Sequence, residues 1–197
     1  YITSPVLTKL LESRCFSSVT VMVQKEVAQR ICAAPASRDY SAFTVLCNYH
    51  AQPELLFDVP ASCFIPQPKV TSAVVCLKTR TEPPASIESE ALFFRTVRAS
   101  FAQRRKTLLN ALSSGFSELS KSALSEALTA CGIAPSVRGE TLDIPGFAAV
   151  SAELRRRKTD DRDDGRTCDR RTHRQTKLPY PSARADGFAG AGAGCGR

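Results

Sequence analysis

The stretch Phe64-Ile65-Pro66-Gln67-Pro68-Lys69-Val70-Thr71-Ser72 holds the most specific chemistry in the chain. Two prolines fix their own φ angles and restrict the residues before them, so Phe64 is presented from a stiff loop that enters a strand. An aromatic ring held this way can stack on a flat ligand such as a nucleobase, worth roughly 1–3 kcal/mol per base. Taken alone, packing in the core is the simpler reading of Phe64. Lys69 in the same loop suits either a phosphate contact or a strand end. A second candidate is the basic group Arg98, Arg104, Arg105 and Lys106. It is either a solvated face with dipole compensation or a set of phosphate contacts.

The remaining reactive residue types carry less. Eight cysteines fall at 15, 32, 47, 63, 76, 131, 168 and 195, and none forms a CxxC pair. Zinc sites usually show such a pair, and the two histidines, His50 and His173, stand alone. The expectation is reduced thiols and no metal, with Cys32, Cys47, Cys76 and Cys131 acting as small hydrophobes inside apolar runs. His50, beside Tyr49 at a strand end, reads as structural.

Charge sharpens where a polyanion could bind. Of the net +8, residues 155–197 supply +6, from twelve Lys/Arg against six Asp. The rest is nearly neutral, so a nucleic-acid reading must rest on local patches. Hydrophobic residues at 43% and charged residues at 23% exclude a wholly disordered chain, and no apolar run approaches the ~20 residues of a membrane span. A chain opening on Tyr1, with its only Met at position 22, reads as a fragment.

The elements that must position these residues fall into three segments. Residues 1–80 read as α/β. A helix follows Ser4-Pro5, and Val19–Val23 resembles a buried parallel strand, apolar on both faces. Lys25–Ala34 reads as a helix; Ala42–Tyr49, Glu54–Val59 and Ser72–Lys78 read as strands. After a linker at Glu82–Ser86, residues 81–154 turn to a 3.6-residue period. Leu92, Phe93, Val97 and Phe101 share one helix face, with Glu88 and Glu90 in its first turn. Leu108, Leu109 and Leu112 mark a second helix. Leu124, Leu128 and Cys131 mark a third, closed by Gly132. Phe147, Val150 and Leu154 mark a fourth, begun near Pro145. From Arg155 to Arg197 apolar periodicity stops, and this basic, low-complexity tail reads as disordered.

Five motifs occur in one order and spacing: Tyr1–Pro5, Val21–Arg30, the Phe64–Ser72 loop, Phe101–Leu108 and Arg138–Leu142. Together they closely resemble the small-subunit ribosomal RNA adenine dimethyltransferases of bacteria over residues 1 to about 154. The resemblance implies the C-terminal part of a Rossmann-like class I methyltransferase sheet followed by a small all-α RNA-binding domain. It implies methyl transfer from S-adenosylmethionine to the N6 amines of two adjacent adenosines near the 3′ end of 16S rRNA. The target base leaves its stack for a pocket, and Phe64 stacks on it. Lys69, Arg98, Arg104, Arg105 and Lys106 would contact the RNA. The resemblance further implies a cytoplasmic monomer without membrane or metal.

The family's Asn-Leu-Pro-Tyr motif would directly precede Tyr1, and its Gly-rich loop and acidic ribose-binding residue would lie further upstream. The expectation is therefore a chain without the cofactor half, inactive alone. Two alternatives stay open: a non-enzymatic RNA-binding module, and a large-subunit rRNA adenine methyltransferase of the erythromycin-resistance type. The Arg104–Leu108 and Arg138–Leu142 motifs favour the small-subunit branch.

Overall fold

A computed structural model describes residues 2–164, with side chains to residue 158. Helix α1 spans Thr3–Ser13, buries Leu7 and Leu11 one turn apart, and ends at Arg14 in the left-handed conformation (φ 51°). Strand β1 (Ser18–Gln24) leads directly into α2 (Lys25–Ile31). Helix α3 (Ala42–His50), β2 (Ala51–Val59) and β3 (Ser72–Thr79) follow. The three strands form one sheet in the order β1-β3-β2, antiparallel throughout.

Three local expectations are corrected. Ala42–Tyr49 is helical, not a strand. The extended Ser41 opens the helix with a capping box: its hydroxyl accepts from the Thr44 amide, and the Thr44 hydroxyl accepts from the Ser41 amide. The run Ala42–His50 then buries Thr44, Val45, Cys47 and Tyr49 at helical spacing. Val19–Val23 is not a buried parallel strand, because β1 pairs antiparallel with β3 and Met22 stands 54% exposed. Helix α2 also stops at Ile31, three residues before the expected end.

The helical part follows the 3.6-residue pattern closely. Helix α4 (Glu90–Ala102) is capped by Ser89, so Glu90 lies in its first turn while Glu88 lies outside. Helices α5 (Leu108–Gly115) and α6 (Lys121–Ala130) are capped by Thr107 and Ser120. Gly132 at φ 70° lets the Ile133 amide reach the Leu128 carbonyl and closes α6. Helix α7 runs Ile144–Asp164, ten residues past the expected end of order at Leu154. Arg156 and Arg157 pair with Glu153 one turn back, and Arg155, Arg157 and Lys158 reach Glu88, Glu126 and Glu118. The charges that end the apolar pattern thus extend the helix. The expected disordered tail beyond Asp164 lies outside the described residues.

Two buried clusters hold the structure. One lies between the sheet and helices α1 to α3, around Leu7, Leu11, Ile31, Val75 and Leu77. The other fills the helical part around Phe93, Leu112, Phe116, Leu128 and Phe147. Helix α3 joins them: Val45 and Tyr49 belong to the helical cluster, while Cys47 belongs to the sheet cluster.

Candidate nucleic-acid interface

The proline loop crosses from β2 to β3 through a 3-10 turn at Ala61–Cys63. It leaves the sheet at the end where Ser72 pairs with both Gln24 and Val59, and the Thr71 carbonyl accepts from the Lys25 amide. The loop is thereby fixed beside the β1–α2 junction. Phe64 is extended (φ −119°, ψ 146°), half-buried, and a member of neither buried cluster. Packing in the core, the simpler reading of this residue taken alone, does not describe it. Ile65, next along and joined to Pro66 by a cis peptide, is fully exposed, and Lys69 is exposed too.

The basic group divides in two. Arg104 is tied inward: its guanidinium donates to the carbonyls of Arg38 (2.8 Å) and Tyr40 (3.2 Å) and to Glu140 (3.1 Å). Glu140 also receives Arg138 at 3.9 Å, and its carbonyl accepts from the amide of Ala36. Arg104 therefore clamps the segment before α3 onto the α4–α5 turn. Beside it, Gly139 packs so closely on α4 that a Cβ would come within 2.8 Å of the Ser100 carbonyl oxygen. Arg105 and Lys106 are exposed, and no carboxylate among the described residues pairs with either. They are free to meet a phosphate. Arg98 projects from α4 on an exposed position and lines a different cavity, with Arg14 and His50. No hydrogen bond or ion pair among the described residues links the proline loop to the Arg104–Lys106 turn.

Sequence reasoning missed the junction around Glu90. One oxygen of that carboxylate accepts from Arg14 at 2.7 Å and from the Tyr49 hydroxyl at 2.8 Å. Burial, then the bond to Glu90, pushes the Tyr49 hydroxyl up to about 12. His50 stacks on Phe94, and burial together with nearby Arg14 lowers its affinity for a proton. These residues are far apart along the chain, and no local spacing announces the contact. The cysteines are free where described: Cys32, Cys47 and Cys131 are held protonated by burial, Cys47 most strongly, up to about 12. No group of three metal-ligating side chains occurs among the described residues, and no described helix is long and apolar enough to cross a membrane.

The described residues hold no glycine turn after a parallel strand. A nucleoside cofactor wants a glycine turn after a parallel strand and polar groups beyond it. Here every strand pair is antiparallel, and the described glycines (115, 132, 139 and 146) all lie in the helical part, in packing or cap positions.

The fold is one shared with RNA methyltransferases. A dimethyladenosine transferase from Plasmodium falciparum superimposes with a TM-score of 0.67 at 24% identity, covering 80% of this chain and 64% of that one. The 23S rRNA methyltransferase ErmE gives 0.54 at 22% identity, over 78% and 61%. A family model described as ribosomal RNA adenine dimethylase matches residues 1–149, and the chain belongs to that family. Among its relatives are the ribosomal RNA small subunit methyltransferases A of Caldanaerobacter subterraneus subsp. tengcongensis (47% identical, 78% of this chain, 57% of that one) and Listeria welshimeri (49% identical, 77% and 52%). The chain spans about half the length of the curated relatives it matches.

Proposed function

We propose that this chain is the base-stacking and RNA-docking share of an rRNA (adenine-N6,N6)-dimethyltransferase. Its substrate is two adjacent adenosines near the 3′ end of 16S rRNA, and S-adenosylmethionine is the methyl donor for the whole activity. The observation that carries the reading is Phe64, an aromatic side chain outside both cores on a loop stiffened by Pro66 and Pro68. Its ring offers a face to an adenine taken from its stack, which lowers the cost of holding that base extended. Arg105 and Lys106, with Lys69 and Arg98, supply phosphate contacts that position the RNA without reading its sequence. Arg104 serves by fixing the turn that carries Arg105 and Lys106. In this reading the domains divide as 1–80, 81–154 and the tail, and the protein works as a cytoplasmic monomer.

In this reading the chain alone does not bind S-adenosylmethionine and does not catalyse, which the lack of a glycine turn after a parallel strand among the described residues supports. Calorimetry showing saturable micromolar binding would overturn that part. The stacking role is tested with the family's cofactor-binding half joined upstream, by single-turnover methylation of the rRNA substrate beside a melting curve. Phe64→Tyr and Phe64→Trp keep a ring face and retain most of the rate. Phe64→Leu keeps volume and loses the face, costing roughly 1–3 kcal/mol, or about one to two orders of magnitude in transfer efficiency, with the melting curve unchanged. A Leu variant as active as the parent retires the stacking role.

A further inference from the structure

The crossing from β2 to β3 carries three prolines, Pro60, Pro66 and Pro68, and is fastened at both ends. The Cys63 and Phe64 amides donate to the Pro60 and Ala61 carbonyls at 3.0 and 3.3 Å, and the Thr71 carbonyl accepts from the Lys25 amide at 3.0 Å. A loop held this way can press on a ligand without folding away. The backbone at Phe64 is extended, so successive side chains leave it on opposite sides. Phe64 is half-buried on one side, and Ile65 stands 102% exposed on the other, the most exposed large hydrophobic side chain among the described residues. Val70, at the far end of the same loop, is 47% exposed. One exposed apolar side chain is ordinary, but two on a stiff loop beside an exposed-edge ring form a shaped surface. Lys69 is the one charged residue from Val59 to Ser72, and Asp58 just before them is paired with Lys25.

We propose that Ile65 is a wedge: it enters the RNA strand beside the adenosine held by Phe64 and props apart the bases that flank the gap. The inference rests on the reading of Phe64 as the base-stacking residue and assigns the position next to it. Apolar atoms gain nothing from phosphates or ribose hydroxyls. The faces of the bases are the apolar surface of a nucleic acid, so a loop exposing Ile65 and Val70 with a single charge fits bases and not the backbone. Aliphatic side chains are among those that enter base steps, where the stacking they break is repaid by contact. A base drawn out of its stack leaves a gap that its neighbours would close. A branched side chain on a stiff loop keeps that gap open and so delays the return of the base. The competing occupant is an apolar protein surface, a second copy of the chain included.

The full chain is titrated into a short RNA hairpin whose loop carries two adjacent adenosines, each replaced in turn by 2-aminopurine, a base that brightens when unstacked. Affinity is read separately, from the anisotropy of a dye at the end of the hairpin. With the parent chain two signals change: that of the base drawn onto Phe64, and that of its neighbour, which brightens. Phe64→Leu reverses the first. Ile65→Ala reverses the second, leaves the first, and weakens binding about three- to tenfold. Its melting temperature matches the parent's, since Ile65 belongs to neither buried cluster. Ile65→Leu, which keeps the volume, restores the brightening. A neighbour that never brightens, or that brightens equally with Ile65→Ala while Phe64→Leu still reverses the first signal, overturns this inference alone. An Ile65→Ser chain that stays monomeric to higher concentration in sedimentation velocity without RNA, with both RNA signals unchanged, assigns the side chain to a protein surface and likewise overturns it. A parent chain that does not bind the hairpin overturns the RNA reading and this inference together.

Discussion

The sheet part and the helical part treat their apolar residues differently. Every exposed large hydrophobic side chain among the described residues lies at or before Val70, including Phe16, Met22, Leu55, Leu56, Phe57 and Ile65. The helical part shows none of this size, although it holds the three fully buried phenylalanines Phe93, Phe116 and Phe147. A four-helix arrangement can turn each apolar stripe inward and close its core. A three-stranded sheet covered by helices on one face cannot, because alternate residues of each strand point the other way. The helical part thus closes its core with help from Val45 and Tyr49 of α3, and the sheet part leaves its large apolar side chains on the surface.

The largest expected effects test whether these parts melt separately. Phe93→Ala should cost about 3–5 kcal/mol and Leu77→Ala about 2–5 kcal/mol, since both side chains are fully buried. Helix α3 contributes to both clusters, so each substitution should lower one shared transition, by roughly 2–4 °C per kcal/mol. Circular dichroism in the near and far ultraviolet checks this. Two resolved transitions, each moved by one substitution only, would break the link through α3 and restore a domain boundary near residue 80.

A smaller effect sharpens the contrast in surface. Met22 and Phe57 flank Val74 on the open face of the sheet, 54% and 57% exposed. Met22→Lys combined with Phe57→Lys should raise the concentration up to which the chain sediments as a monomer while moving stability by no more than about 0.5 kcal/mol. An unchanged concentration limit would show that this face does not drive association.

The same contrast governs what could be read from sequence. The helical part was legible because a 3.6-residue period, Ser and Thr caps and Gly132 all point to one answer. In the sheet part, Ala42–Tyr49 looked like a strand because Phe43, Val45 and Tyr49 favour strands locally. Tertiary contact decided otherwise, through the Thr44 hydroxyl on the Arg30 carbonyl and two core faces on one helix. The run of Val and Met in β1 hid its partner's direction, since apolar composition does not encode whether a neighbour is parallel. At the site, the proline loop was readable from Phe64 to Ser72. The inward role of Arg104 was not, because Arg38, Tyr40 and Glu140 reach it from distant parts of the chain.

The smallest expected effect concerns how the helical part secures its surface. Arg95 donates both ends of its fork to Glu118, at 2.7 and 3.0 Å, donates again to the Gly115 carbonyl at 2.7 Å, and lies 4.3 Å from the centre of the Phe116 ring. Lys158 from α7 approaches the same carboxylate at 3.3 Å. The bond from Arg95, above all, holds the Glu118 carboxyl down at about 2, against an ordinary value of 4.5. A carboxyl depressed by folding contributes stability that is present above its unfolded value. That contribution is lost as the pH falls from about 4.5 through about 2. With roughly a third of each side chain exposed, solvent screening leaves the pair worth about 1 kcal/mol or less. Glu118→Gln should therefore lower the melting temperature slightly at neutral pH, and the gap should close on acidification through that window. Arg95→Lys, which keeps the charge but loses the fork, should fall between the two. The measurement is a series of melts from about pH 7 to pH 2 at low and high salt, with the gap narrowing in salt as well. A gap that persists undiminished at the acid end would mean that Glu118 acts through packing around Phe116 and not through its charge.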